Sequence, residues 1–199
     1  VTLKIAFGKG RGAAECIRLL DPGVPEEVCA AKKLVHRSAD GTIEALIVRG
    51  PDLSQFLREK WVDVAVGSGI LFAEHGGEEA GLVKLASLNI GICRLSLISP
   101  PEQPIAEIRT IAARYYHTAA RLIAGRVPPS VRFIGFGGCL EVALHLGACE
   151  AIVDIVETGT TIRTMNFVER EVLLPIRHEI WCRREDEGSP RKIRELLHR

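Results

Sequence analysis

Short apolar runs of strand length recur along the chain, and most close on a glycine or proline corner that opens into a helix-like segment. "LKIAF" at 3–7 meets Gly8-Lys9-Gly10-Arg11-Gly12, after which a helix is expected from about Ala13 to Leu20. "KLVHRS" and "TIEALIVRG" read as two strands, the second followed by Pro51-Asp52 and a helical pattern, and "VDVAVGSG" leads into a short helix through Glu74. Runs of this length, rich in Val, Ile and Leu and bounded by Gly and Pro, are the mark of buried strands. Their alternation with helices points to an α/β fold with a largely parallel sheet, because parallel neighbours need a crossover between them.

The pattern runs in two series. "LVKLASLNIG" and "ICRLSLISP" are strand-like, and Pro100, Pro101 and Pro104 then interrupt it where a lobe break is expected. The second series holds a helix around Arg114 to Ala124, the strand "VRFIGF", a helix from Gly138 to Leu146, the strand "AIVDIV", a helix from Thr160 and the strand "REVLLPI". A last basic helix, "SPRKIRELLHR", carries Pro190 where a helix start tolerates it. Similar content in the two series predicts two α/β lobes with a ligand cleft between them.

Charge narrows the partners. Lys and Arg total 26 against 25 Asp and Glu, so nothing general attracts nucleic acid or an anionic membrane, and any anion site is local. The six cysteines form no C-x-x-C pair, which argues against zinc and against a disulfide framework and for reduced, mostly buried thiols. With no basic segment leading into an apolar leader and no apolar stretch of about 18 residues, the expectation is a soluble, cytoplasmic protein.

The stretch "AIVDIVETGTTIR", 151–163, carries the strongest local chemistry. Asp154 falls near the carboxyl end of a strand, where open α/β sheets bind ligands, and an acid there can accept hydrogen bonds from ribose hydroxyls. Thr158, Gly159, Thr160 and Thr161 combine hydroxyls with backbone N–H groups at a helix start, a setting for phosphate. The plainer reading is a threonine cap and a glycine turn. The 8–12 loop offers Lys9 and Arg11 to a polyphosphate but lacks both the Walker spacing and the full dinucleotide pattern, so a solvated glycine turn is an equal reading. Arg94 sits in an apolar strand, where a guanidinium needs a ligand or, more commonly, a structural ion pair. Arg49 and Asp52 flank the turn after another strand, as a pair or as a helix cap. The six histidines form no triad, and Cys139, at a strand-to-helix turn, has no assigned base.

Taken in order, "LKIAFGKGR", "IVRGPDL", "VDVAVG", "LNIGICRL" and "GACEAIVDIVETGTTIRTMNFVE" resemble the short form of ATP phosphoribosyltransferase, over almost the entire chain. The most specific part, Asp154-Ile-Val-Glu-Thr-Gly-Thr-Thr-Ile162, looks like that family's phosphoribosyl pyrophosphate loop, with Arg163 and Asn166 at matching spacing. The resemblance implies two lobes like those of type II periplasmic binding proteins, lobe I at 1–92 plus 180–199 and lobe II at 93–179. It implies attack by N1 of ATP on the anomeric carbon of phosphoribosyl pyrophosphate, with Mg2+ on the departing pyrophosphate and no protein ligand assigned to the metal. It assigns Asp154, Lys9 and Arg11 to catalysis, and Glu157, Thr158, Gly159, Thr160, Thr161, Arg49, Arg94 and Glu141 to substrate binding. It also implies a homodimer or larger assembly working with a separate regulatory subunit that resembles a histidyl-tRNA synthetase, since a chain ending at Arg199 has no room for a C-terminal allosteric domain.

Three departures from the family pattern stand beside this. Gly67-Ser68-Gly69 replaces a common Gly-Lys-Asp or Gly-x-Asp, Gly137-Gly138-Cys139-Leu140-Glu141 replaces Asn-Gly-Ser-Val-Glu, and Gly12 replaces an apolar residue. They keep two other readings open, an inactive or weak paralogue and a cytoplasmic ligand-binding protein on the same scaffold.

Overall fold

In the computed structural model the described residues are 2–10, 12–30 and 32–187; Arg11 and the expected last helix at 189–199 lie outside them. The chain divides into two compact units, one made of Val1–Gly91 and the chain from Arg177, the other of Ile92–Ile176.

The first unit opens with β1 (Leu3–Lys9), α1 (Ala13–Leu20), α2 (Glu26–Cys29), β2 (Val35–Arg37) and β3 (Ile43–Arg49). It continues with α3 (Leu53–Arg58), β4 (Val64–Ser68), α4 (Gly69–Glu74) and β5 (Leu82–Ser87). The second unit contains β6 (Cys93–Ser99), β7 (Thr110–Ala113), α5 (Tyr116–Ile123), β8 (Arg132–Gly135) and α6 (Leu140–His145). It ends with β9 (Ala151–Val156), α7 (Thr160–Thr164) and β10 (Val168–Ile176), after which β11 (His178–Arg183) rejoins the first unit.

The sheet of the first unit runs β2-β3-β1-β4-β11-β5 and that of the second β10-β6-β9-β7-β8. The expected largely parallel sheet holds only for three strands of each, β3-β1-β4 in the first and β9-β7-β8 at one end of the second. β1 is parallel to β3 and β4, and β7 to β8 and β9, whereas β2, β6, β10 and β11 pair antiparallel with their neighbours. The reason lies in the connections. β2 and β3 are joined by a short turn in which Asp40 accepts hydrogen bonds from Ser38 and Thr42, and β11 arrives from the other unit without a crossover helix.

Period-two alternation decides which helices cover which face. Ile5, Phe7, Val64, Val66 and Ile180 point to the side where α1 and α2 bring Ile17, Leu20 and Val28. Ala6, Ala65 and Trp181 point to the side where Leu53, Leu57 and Phe72 pack from α3 and α4. The small residues on that second face let α3 approach closely. A Cβ on Gly8 or Gly67 would stand 2.9 or 2.5 Å from Leu53 Cδ1, so both positions require glycine for packing. In the second unit, Leu140, Leu144 and Ile162 from α6 and α7 cover Ile152 and Val156 of β9.

All six cysteines are free thiols; Cys16, Cys149 and Cys182 are buried, and burial pushes Cys16 up to about 12 and Cys182 to about 11. They are packing residues, inert as nucleophiles at neutral pH. Among the described residues no helix is long and apolar enough to cross a membrane.

Candidate functional site

β9 delivers its chain end to a corner that only glycine enters without strain. Gly159 has φ +72° and caps α7, and a Cβ there would lie 3.1 Å from Arg163 Nη1. Around it Thr158, Thr160 and Thr161 are exposed. The Thr158 and Thr160 hydroxyls lie 3.0 Å apart, and Thr160 N–H reaches Thr158 Oγ1 at only 3.4 Å, a long bond that leaves the group available to a better acceptor. The Arg163 guanidinium reaches Thr160 Oγ1 at 3.5 Å. Hydroxyls, a cation and loosely held N–H groups are thus gathered at one turn, which suits a phosphate dianion.

The loop rests on an ion pair. Arg94, on β6, donates from Nε and Nη2 to the two oxygens of Glu169 at 2.5 and 2.7 Å, and from Nη1 to the carbonyl of Glu157 at 3.2 Å. Ser96 Oγ, fully buried, donates to the same Glu169 at 2.6 Å. Arg94 therefore takes the structural-pair reading of its position, and its geometry makes it a support for the loop where the resemblance implied direct substrate binding. Glu169 was not singled out in the sequence: its register partner on β6 is Ile98, and nothing local links it to Arg94, 75 residues away.

The same bonds hold the Glu169 carboxyl below its ordinary range, Arg94 first and Ser96 adding to it. A depressed carboxyl stabilises the fold above its unfolded pKa and loses that contribution as pH falls through the folded value. Glu169→Gln breaks the bidentate pair at a site about a quarter exposed and is expected to cost about 1–2 kcal/mol. The check is thermal unfolding from pH 7 to pH 3: the difference between parent and variant should shrink with acid.

Asp154 lies within β9, opposite Ser96 of β6, with Oδ1 accepting the Ile155 N–H at 2.7 Å. Burial pushes its pKa up, the Ile155 N–H pulls it down, nearby Glu141 raises it and Arg114 lowers it. Position 154 is two residues short of the strand end, inside the sheet, so desolvation is the largest effect. Glu141, in the first turn of α6, shares this neighbourhood, and Arg114 is a member the sequence reading did not assign. Cys139 precedes α6 at φ +57°, exposed. Glu157 is exposed at the loop entrance.

In the first unit, Lys9 and Arg49 are register partners on the parallel strands β1 and β3, both exposed at the carboxyl ends. Neither makes an ion pair among the described residues, so this sheet end carries two cations side by side. Two of the departures gain a physical explanation. A Cβ on Gly69 would stand 2.7 Å from the Glu179 carboxylate, so β11 brings an acid to the corner where residue 69 carries none. A Cβ on Gly12 would stand 2.8 Å from the His178 ring, which takes the room an apolar residue there would need.

Among the described residues no group of three or more His, Cys, Asp or Glu side chains could hold a metal ion.

A sequence model of the family described as HisG, ATP phosphoribosyltransferase, matches residues 49–199. An ATP phosphoribosyltransferase of Streptococcus gordonii is 36% identical over 165 residues, covering 80% of this chain and 75% of that protein. Among solved structures, the ATP phosphoribosyl transferase (HisG:HisZ) complex from Thermotoga maritima matches 99% of this chain and 97% of its own at a TM-score of 0.81 and 24% identity. The arginine-bound form of truncated ArgBP from the same organism matches 99% of this chain and 95% of its own at a TM-score of 0.56 and 15% identity, so the folds are those of periplasmic binding proteins.

Proposed function

The chain belongs to the ATP phosphoribosyltransferase family, and from that premise we propose how its residues divide the work. The enzyme transfers the 5-phosphoribosyl group from phosphoribosyl pyrophosphate to N1 of ATP and releases pyrophosphate, the first step of histidine biosynthesis. The N1 lone pair forms the new C–N bond as the anomeric C–O bond breaks and its electron pair leaves on pyrophosphate. Positive charge grows on the ribose and negative charge on the leaving group. The protein's task is positioning and electrostatic stabilisation, with no covalent nucleophile.

The observation that carries the assignment is the Gly159 corner, with its threonine hydroxyls beside a half-buried acid on the same strand. Thr158, Gly159, Thr160 and Thr161 take the 5′-phosphate, with Glu157 at the loop entrance. Asp154 holds ribose hydroxyls and Glu141 stands near them. Lys9, Arg11 and Arg49 take polyphosphate; Arg94 acts on substrate through the loop it supports. The described residues do not offer a ready-made metal cluster, and magnesium enters as part of the donor, on its pyrophosphate oxygens. The chain is of the short form, works in the cytoplasm as an oligomer, and pairs with a regulatory subunit of the HisZ kind; in support stands the assembly named for its Thermotoga structural neighbour.

The test is release of pyrophosphate, read with a coupled pyrophosphatase, which should require ATP and phosphoribosyl pyrophosphate together. Release from the donor alone would make the chain a hydrolase and remove the assignment. For the cations, Lys9→Ala and Arg49→Ala should each raise KM by roughly five- to tenfold at low salt and less at 0.5 M, where the Debye length is only a few ångströms. Equal KM values at both salt levels would take these side chains off the substrate.

A further inference from the structure

Arg114 is a cation with no role in the division of work given above. It follows the last residue of β7, the middle strand of the parallel trio β9-β7-β8, at the carboxyl end where such sheets take ligands. β7 runs beside β9 with Ile111, Ala112 and Ala113 abreast of Ala151, Ile152 and Val153, so the next step of that register brings residue 114 level with Asp154. Alternation puts residues 112 and 114 on one face, and Ala112 shares its apolar cluster with Ile152, two residues before Asp154. The same cluster holds Leu140, the chain neighbour of Glu141. The electrostatic effect of Arg114 on Asp154 agrees with this placement.

The Arg114 side chain is exposed and, among the described residues, forms no ion pair. Its guanidinium lies over the ring of Tyr115, 5.6 Å from the centroid, and Tyr115 is itself buried. A cation held against an aromatic face keeps its direction without having its charge neutralised by a carboxylate.

Lateral order decides which part of the donor this cation meets. β9 lies between β6 and β7. The phosphate corner leans to the β6 side: Arg94 of β6 donates to the Glu157 carbonyl, and a Cβ on Gly159 would stand 3.9 Å from Arg94 Nη2. Arg114 stands on the β7 side, so Asp154 separates the corner from the guanidinium, and β6 and β7 are two strand spacings, about 10 Å, apart. Phosphoribosyl pyrophosphate has the same order, a 5′-phosphate at one end, hydroxyls in the middle and a pyrophosphate at the other end. Its pyrophosphate leaves the ribose on the α face, the face that also carries the two ring hydroxyls. An acid that holds those hydroxyls therefore has the pyrophosphate beside it.

We propose that Arg114 is a further substrate-binding residue, whose guanidinium takes the pyrophosphate of the donor while the Gly159 corner takes the 5′-phosphate and Asp154 the hydroxyls between them. The inference rests on the assignment of that corner and of Asp154 to the donor. A guanidinium meets two phosphate oxygens at once, and its charge complements the negative charge that grows as the anomeric C–O bond breaks.

The test compares two ligands by calorimetric titration: the donor with magnesium, and ribose 5-phosphate, which lacks the pyrophosphate. Arg114→Gln should weaken the donor by about tenfold and leave ribose 5-phosphate within about twofold of the parent. Arg114→Lys, which keeps the charge but not the fork, should weaken the donor by about threefold. In an Asp154→Asn background Arg114→Gln should still weaken the donor by about tenfold, because the cation acts on the pyrophosphate and not through the charge of the acid. Parental donor affinity in Arg114→Gln, an equal loss for both ligands, or a loss that vanishes in the Asp154→Asn background overturns this inference alone, so long as Gly159→Val still weakens ribose 5-phosphate. Parental affinity of Gly159→Val for ribose 5-phosphate removes the corner assignment, and the inference with it.

Discussion

Asp154→Asn is expected to lower kcat by on the order of 10²-fold, the size of effect seen when one preorganised electrostatic contact to a transition state is removed, and at the same time to stabilise the free protein. Both results come from one fact, the burial of the carboxyl within β9. Before substrate binds, the acid is desolvated, with Glu141 adding repulsion and Arg114 relieving only part of it. A raised carboxyl pKa means that the native state holds more protons than the unfolded one over the interval between the two values, so stability falls as pH rises through that interval. The amide carries no charge to desolvate and lacks that slope. Its melting temperature should exceed the parent's by a few degrees at neutral pH. In the reaction the sign reverses, because a carboxylate facing the ribose gains as positive charge grows there. The donor's KM should change much less than kcat. A loss confined to KM would leave Asp154 holding ground-state substrate only, and an unchanged melting temperature would show that its burial costs the fold nothing.

Gly159→Val should abolish binding of phosphoribosyl pyrophosphate, by at least about 100-fold in KM, while leaving the sheets intact. Three costs coincide. A β-branched residue at φ +72° is strained by about 1–2 kcal/mol. Its Cβ meets Arg163 Nη1 at 3.1 Å, and its methyl groups add bulk at the turn proposed to take the phosphate. Gly159→Ala separates the terms, since it keeps the strain but adds only one methyl, and an intermediate loss is expected. Calorimetric titration with the donor is the measurement. Parental affinity in the valine variant would place the phosphate elsewhere.

Much of this was readable before any coordinates, and the exceptions share causes. The helix at Ala13–Leu20 stands where its apolar spacing put it, and the strands β1, β3, β4, β6 and β9 stand where apolar runs stood. β7 was missed because "TIAA" is four residues beside a proline-rich stretch, too short for any period to show. β11, "HEIWCR", holds only three apolar residues in a row between polar ends and is partnered through segments far away in sequence, which no local window reveals.

The site follows the same rule. Gly159 and its threonines are contiguous, so their chemistry was visible as a motif. Arg94 with Glu169, Gly12 with His178, and Gly69 with Glu179 are partners separated by 75 residues or more. Each was read as a lone residue or as a departure, although the second member answers the first. A glycine that replaces a larger residue is explained only by the side chain that fills its space.

The central claim, that this chain builds a phosphoribosyl–ATP adduct with the Asp154 to Thr161 corner as its donor site, is most directly tested by the reaction itself. Purified protein is mixed with ATP, phosphoribosyl pyrophosphate and magnesium, with and without a HisZ-type regulatory subunit, and the adduct's ultraviolet absorbance is followed for the parent and for Asp154→Asn. The account predicts that absorbance rises only when both substrates are present, that it rises faster with the subunit, and that the variant is slower by on the order of 10² at saturating substrate. No adduct under any of these conditions, or an adduct formed equally fast by parent and variant, would contradict it.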